Sequence, residues 1–351
     1  MLISEHSVKT VFFLGAGASR GAVDHIVYKR KLIKPPLNGD FFQVAQKYAQ
    51  AEGAKSQSQK RLTRIKRVFQ RDLPLKKMPT MEEAFSLLYV AKDFPEIYAR
   101  GSGAKPKAGV RKEISDFLRL FFPILTLVDE EDGKQTGYDR LASILTDDDT
   151  IITLNYDTMV DSALFRRGWD PKKGYGIKGN TNRKVTWNQK NKNGTPPLNV
   201  KLLKLHGSMN WFVRGNTNNL KKVFTSKPTK VTPPRYNELS GHIRQIAPPI
   251  YGKLFEHEHW QSLWTQAFKA LCEAEAIVVV GSSLIDTDFH LRALFSQVAR
   301  LRKSKGNKYR HAAFVDRTKI RRKWQAVLKG SYKNQIEYSD FDKFLRRGLS
   351  V

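Results

Sequence analysis

Short apolar runs alternate with amphipathic stretches along most of this chain, and that alternation sets the first expectation. Residues 11–14, Val-Phe-Phe-Leu, form an unbroken apolar run ending at Gly15, as a strand buried on both faces of a parallel sheet does. Further strands are expected at 150–154, 200–205, 276–280 and 312–315, with a sixth at 336–338. Between them, residues 157–167 carry Met159, Val160, Ala163 and Leu164 at helical spacing, and 260–273, 288–302 and 319–328 are similarly amphipathic. Strands alternating with helices predict an α/β fold, a Rossmann-like doubly wound parallel sheet.

Residues 41–140 break this rhythm. Segments 41–48, 81–92 and 112–128 read as helices with no strand among them. They predict a helical insertion between the first and second core strands of a single domain spanning 1–351. Segments 168–197 and 214–234, rich in Gly, Asn, Lys and Pro, read as long loops, and loops of that length are commonly functional.

Composition narrows the classes. With 351 residues, 40% of them hydrophobic, the chain can bury one large core with a sizeable insertion. It has no apolar run long enough to span a membrane, and residues 1–10 lack the apolar centre of a secretion signal, so a cytoplasmic protein without a membrane partner is expected. Cys272 is the single cysteine, which excludes an intrachain disulfide and a cysteine-built zinc site. Its neighbourhood reads as helical, and the thiol as a small buried hydrophobe. No metal is expected.

The formal net charge is +29, from 62 Lys and Arg against 33 acidic residues, dense at 60–71, 166–192 and 300–323. Such charge favours a polyanionic partner. Direct nucleic-acid contact and a merely solvated basic surface both stay open, because no zinc finger or other dedicated reader is visible.

Four motifs stand at strand ends. In Gly15-Ala16-Gly17-Ala18-Ser19, two glycines allow a sharp turn and a close approach of backbone amides to a phosphate at a helix start. In Thr153-Leu154-Asn155-Tyr156-Asp157, Asn155 points toward the cleft expected at the carboxyl ends of the strands, while Asp157 suits a helix cap. Lys204-Leu205-His206-Gly207-Ser208 places at a strand end a histidine able to take a proton from a hydroxyl or water. Gly281, Ser282 and Ser283 follow the next buried strand and can hold a ribose or phosphate edge, with Asp286 or Thr287 capping the helix beyond. His257 and His259, two apart on a helix, face different directions and make no metal pair.

In this order, GAGAS, T-x-N-x-D, HGS and GSSL resemble the sirtuin family. The resemblance implies that Gly15, Ala16, Gly17, Ala18 and Ser19 hold the pyrophosphate of NAD and that Asn155 contacts the nicotinamide ribose and its attacking water. Asp157 would lie near the carboxamide, His206 would be the general base, and Gly281, Ser282 and Ser283 would line the adenosine side. Protein-deacylating sirtuins carry a four-cysteine zinc module and an acyl-lysine-binding strand motif, neither of which is found here. In place of their phosphate-following loop stands Pro35-Pro36-Leu37-Asn38-Gly39-Asp40-Phe41-Phe42.

That stretch, together with Asn155-Tyr156-Asp157, Lys204 to Trp211 and the late G-S-S-L-x-D-x-D, is similar to the bacterial sirtuin-like branch of anti-phage defence systems. The branch implies hydrolysis of NAD, as substrate, to nicotinamide and ADP-ribose. It also implies a homo-oligomer and a nucleic-acid-handling partner, a HerA-type translocase ATPase or a short Argonaute, that gates the activity. Alternatives are an NAD-dependent protein deacylase or ADP-ribosyltransferase, a non-catalytic NAD or ADP-ribose sensor, and a nucleic-acid-binding scaffold.

Overall fold

The computed structural model describes residues 8–72, 77–93, 109–127, 135–177, 197–214, 224–225, 242–247, 250, 258–284, 288–316, 318–328 and 330–349. The chain opens with strand β1 (Thr10–Leu14) and helix α1 (Ala16–Ala22). Then come β2 (Ile26–Tyr28), β3 (Lys31–Ile33), α2 (Phe41–Glu52), α3 (Gln57–Arg67), α4 (Met81–Asp93) and α5 (Gly109–Leu125). The next stretch holds α6 (Gly137–Ile144), β4 (Thr150–Thr153), α7 (Met159–Arg166), α8 (Pro171–Gly174), β5 (Lys201–Lys204), β6 (Gly207–Arg214), β7 (Phe224–Thr225) and β8 (His242–Ile246). The last runs through α9 (Glu258–Glu273), β9 (Ala276–Val280), α10 (Phe289–Ser304), β10 (Tyr309–Val315), α11 (Thr318–Leu328), β11 (Tyr332–Tyr338) and α12 (Phe341–Arg347).

Two compact units result. The first comprises Met1–Val23, Lys134–Ile246 and Leu254–Val351; the second comprises Asp24–Gly133 and Ala247–Lys253. The first is built on a six-stranded sheet in the order β11-β10-β9-β1-β4-β5, every neighbouring pair parallel. All residues of β1, β4 and β9 are buried, which is why their sequences show no polar alternation. Counting core strands along the chain, the order is the doubly wound 3-2-1-4-5-6, the expected α/β Rossmann-like fold. Chain direction across the sheet reverses between β1 and β9.

At that reversal the turns after β1 and β9 interlock. Gly17 N–H donates to the Gly281 carbonyl at 2.8 Å, and Gly281 has φ +59°. A Cβ on Gly15 would lie 2.5 Å from the Gly281 oxygen, and one on Gly281 would lie 2.1 Å from the Ala18 nitrogen. Two backbones therefore touch where neither can carry a side chain.

Beside the sheet, β6 is the centre strand of a smaller antiparallel sheet ordered β7-β6-β8. The sequence pattern does not predict this strand, because Ser208 and Asn210 interrupt its apolar run and yet are fully buried. A buried ion pair joins the elements here. Lys204, at the end of β5, donates from Nζ to Asp161 Oδ2 of α7 at 2.8 Å, both side chains being 0% exposed. Tyr175, just past α8, donates its hydroxyl to the other Asp161 oxygen, and Asn210 of β6 donates to the Tyr175 hydroxyl at 3.0 Å. Lys204 also donates to the Asp157 carbonyl.

The second unit has its own core, in which Phe41, Phe42, Phe69, Phe85, Phe117 and Phe121 pack ring against ring. It holds α2 to α5 and the hairpin β2–β3, whereas α6 belongs to the first unit, where Gly137 packs closely on Ala22. Helix α3, legible in the sequence only as a basic stretch, buries just Ser58, Leu62 and Ile65. Arg61 and Arg64 pair with the buried Asp116 of α5. Among the described residues, no helix is long and apolar enough to cross a membrane.

These contacts set the stability of the first unit. Gly306, with φ +63°, has nothing within 4 Å of the position a methyl group would take, so Gly306→Ala meets only the left-handed backbone penalty of about 1–2 kcal/mol. Gly281→Ala adds a collision with residues 17 and 18 and should cost about 2–5 kcal/mol in denaturant unfolding. Lys204→Met should cost about 3–5 kcal/mol because it leaves Asp161 charged and buried, and adding Asp161→Leu should recover part of the loss.

Candidate active site at the switch point

Register places the candidate residues in one row. Thr153 of β4 pairs with Lys204 of β5, so Asn155 and His206 each stand two residues beyond paired strand ends. Leu14 pairs with Thr153 on one side and Val280 on the other, so Gly15 and Gly281 each stand one residue beyond. Across the carboxyl edge the row runs His206, Asn155, Gly15, Gly281, with neighbouring strands about 4.8 Å apart. In doubly wound sheets this edge, at the reversal of strand order, is where ligands bind.

Within the row, Asn155 is tied to the glycine turn. Its Nδ2 donates to the Gly15 carbonyl at 2.8 Å and to Ser19 Oγ at 3.0 Å, and its own N–H is held by Thr153 Oγ1 at 3.0 Å. Both amide hydrogens are thus used inside the protein, which leaves Oδ1 as the side-chain group for a ligand. Ser19 is the hub of this network. Its buried hydroxyl donates to Asp157 Oδ2 at 2.8 Å, accepts from Asn155, and lies 3.0 Å from the Tyr138 hydroxyl. The side chain faces inward, so only backbone of Ser19 is left for an anion.

Asp157 works one residue ahead of the cap position it was expected to fill. The cap position of α7 is Thr158, while Asp157 Oδ1 accepts from Met159 N–H at 3.0 Å. Burial pushes the Asp157 carboxyl up, against the downward pull of the Lys204 ammonium and its own hydrogen bonds. Burial, with the nearby Asp157 charge, likewise drives the Tyr138 phenol well above its ordinary range.

His206 is 5% exposed, and its Nε2 lies 3.0 Å from Oδ2 of Asp288, which is 4% exposed. Asp288 is also the N-cap of α10, its Oδ1 accepting from Leu291 N–H at 3.2 Å. The sequence pattern points instead to Asp286 or Thr287 for that cap, and both lie outside the described residues. Asp288 is visible in the sequence only as the second aspartate of G-S-S-L-x-D-x-D, and its partner is 82 positions away in the chain (288 less 206).

The remaining candidates divide by exposure. Ala16 is exposed, Gly17 partly so, and Ala18 buried, so the open part of the first turn is backbone and one methyl. On the second turn Ser282 is buried, its carbonyl accepting from Trp324 Nε1 at 2.7 Å, while Ser283 is exposed. Tyr138, Lys204 and Asp161, none of them expected as site residues, support the row from below. Phe41 and Phe42 of the proline-led stretch lie in the core of the second unit, and Asp40 Oδ1 accepts from Leu37 N–H at 2.8 Å.

Cys272 lies partly buried on α9, and burial pushes its thiol up, away from nucleophilic use. His259 is buried on the same helix, and His257 lies outside the described residues. Among the described residues, no three His, Cys, Asp or Glu side chains are grouped to hold a metal ion.

Residues 149–335 match the family model of the SIR2-like domain. No curated protein sequence matches the chain. Similar solved structures include one addressing the mechanism and regulation of Sir2 enzymes, at 13% identity and a TM-score of 0.41, covering 97% of this chain and 90% of the other. Sir2 bound to acetylated peptide gives 13% identity and a TM-score of 0.38, and Sir2 with a p53 peptide and NAD+ gives 15% and 0.37, each covering 96% of this chain and 90% of the other. At that similarity the strand order of the sheet itself, and not the alignments, carries the fold. The family match spans more than half of the chain and contains Asn155, Asp157, His206, Gly281 and Asp288. The chain belongs to the SIR2-like domain family.

Proposed function

We propose that this chain is an NAD+ hydrolase that cleaves NAD+ to nicotinamide and ADP-ribose. The observation that carries the reading is the row at the carboxyl edge, in which a buried histidine next to a buried carboxylate stands one strand away from Asn155 and the glycine turn. The residues present suit a dinucleotide. Gly15 to Ser19 and Gly281 to Ser283 form two adjoining turns whose accessible parts are backbone, Ala16 and Ser283, the kind of lining that phosphates and riboses accept.

The chemistry asks little of an acid, because nicotinamide leaves as a neutral base. What the chain must supply is a held water and a proton acceptor. Asn155 Oδ1 accepts a hydrogen bond from that water, since both Nδ2 hydrogens are committed to Gly15 and Ser19. His206 takes the water's second proton, directly or through a ribose hydroxyl. Asp157 stays behind the row and keeps Ser19, and through it Asn155, in place.

The resemblance to anti-phage sirtuin-like proteins supports a wider proposal. In it the chain is the effector of a bacterial defence system, gated by oligomerisation or by a nucleic-acid-handling partner.

Chromatography of NAD products, for the chain alone and with its co-purified partner, tests the reading. Wild type should release nicotinamide and ADP-ribose without added peptide. His206→Gln should lower kcat by about 10²–10⁴ with its fold intact. Asn155→Ala should fall alike. Turnover that requires an acylated peptide would establish the deacylase alternative instead, and unchanged hydrolysis by both variants would overturn the mechanism.

A further inference from the structure

We infer that, within the second unit, the tip of the β2–β3 hairpin and the exposed face of α3 form a docking surface for the phosphate backbone of a duplex nucleic acid. This surface stands apart from NAD chemistry and does not rest on the hydrolase reading.

The hairpin tip is strained. Tyr28 pairs with Lys31, so only Lys29 and Arg30 connect the two strands. Their φ values are +46° and +62°, the left-handed region in which two-residue turns ordinarily place asparagine and glycine. Among the described residues, two of the three non-glycine positions with positive φ are these adjacent cations. Asn-Gly would relax the turn, so the strain marks side chains kept for what they present to solvent. Arg30, Lys31 and, just past β3, Lys34 are all exposed.

The tip is also anchored beside α3. The Tyr28 ring stacks on Tyr48 of α2 with centroids 5.5 Å apart, and its hydroxyl donates to Glu52 Oε1 at 2.7 Å. Lys29 Nζ lies 2.6 Å from the same oxygen. Tyr48 in turn meets Ser58 and Arg61 in the first turns of α3. The hairpin tip, the end of α2 and the start of α3 are thus one continuous surface.

Its charge is of one sign. Residues 25–39 and 53–71 contain no Asp or Glu. Glu52 is engaged by Tyr28 and Lys29, and the buried Asp116 by Arg61 and Arg64, so both acids are turned inward. Exposed instead are Lys55 in the α2–α3 turn and, on α3, Lys60, Thr63 and Arg67, which at i, i+3 and i+7 share one helix face. Lys60 and Arg67 stand about 10 Å apart along the axis with a small hydroxyl residue between them, so a sugar-phosphate strand can approach both.

The aromatic rings favour a duplex over a single strand. Single strands are held by bases stacked on exposed aromatic side chains. Here Tyr48 is buried and Tyr28 is stacked on it, so the surface offers cations, hydroxyls and amides. Those are the groups that grip a backbone without reading its sequence.

Anisotropy of a labelled DNA duplex titrated with the full chain tests the assignment. Wild type should lose about 10² in affinity between about 50 and 200 mM salt, as for roughly four phosphate contacts. Arg30→Gly with Lys31→Gln should flatten the log–log salt slope by about 2, and so should Lys60→Gln with Arg67→Gln. Lys308→Gln with Lys333→Gln removes the same charge from exposed positions of the first unit and should leave the slope as it is. Arg30→Gly alone should melt no lower than wild type, because glycine is at ease at that φ. A single strand of the same sequence should bind more weakly than the duplex.

No duplex binding at about 50 mM salt, equal flattening by the first-unit control, or an unchanged slope in either second-unit variant would overturn the inference. So would earlier melting of Arg30→Gly, which would make the tip a folding element. Tighter binding of the single strand, of polyglutamate or of anionic lipid vesicles than of the duplex would overturn it as well. NAD turnover enters none of these measurements, so their failure leaves the hydrolase proposal standing on its own test.

Discussion

The structure depends on one contact of backbone against backbone, where the turns after β1 and β9 meet. Gly17 N–H reaches the Gly281 carbonyl, and the space that a Cβ would need at Gly15, Gly17 or Gly281 is already filled by the other turn. The two strands are the innermost pair of the sheet and mark the reversal of its winding. Because the contact leaves no side chain between them, the first phosphate-type turn and the start of the link to α10 are held as one piece. His206 and Asp288 can face each other across the edge only if that piece stays where it is.

Under the row lies a polar network that would be costly if left incomplete. Ser19 joins Asn155, Asp157 and Tyr138, and the Asp157 carbonyl accepts from Lys204, whose charge is matched by Asp161. Each link connects a different part of the first unit: the glycine turn, α6, the end of β4, α7 and the end of β5. Burial raises the Asp157 carboxyl and Lys204 opposes the rise, so neither residue can be removed without changing the other's electrostatics. The basic character of the chain is therefore not all surface. Lys204 and Arg302 are both buried, Arg302 donating to the Leu271 and Cys272 carbonyls with its guanidinium 3.6 Å from the Tyr309 ring centre.

Where burial and hydropathy agree, the fold is legible in the sequence. β1, β4 and β9 are apolar because both faces are covered, and strand-end position alone brings Gly15, Asn155, His206 and Gly281 into consideration. Legibility fails where polar groups are buried or apolar ones are few. Ser208 and Asn210 hide β6. The exposed Lys333, Asn334 and Gln335 hide the first half of edge strand β11, and in α3 the buried Ser58, Leu62 and Ile65 fall at helical spacing but include only two apolar residues in a basic stretch. Asp288 is hidden for another reason: Asp286 and Thr287 just before it read equally well as the cap, a role that Asp288 fills. Nothing local tells that its second oxygen meets a histidine from the end of β5.

The direction of the hydrogen bonds bears on the kind of reaction the row can serve. Here the Asn155 donors are turned to Gly15 and Ser19, the Gly17 N–H is used by Gly281, and the Ala18 N–H is used by the Gly15 carbonyl. What Asn155 can offer outward is an acceptor, its amide oxygen. Under the proposed NAD+ hydrolysis that acceptor holds the attacking water, while the positive charge on the nicotinamide ring favours the departure of the leaving group. The donors of the glycine turn and of Asn155 are thus spent on holding the row together, and the Asn155 amide oxygen is the acceptor left at its edge.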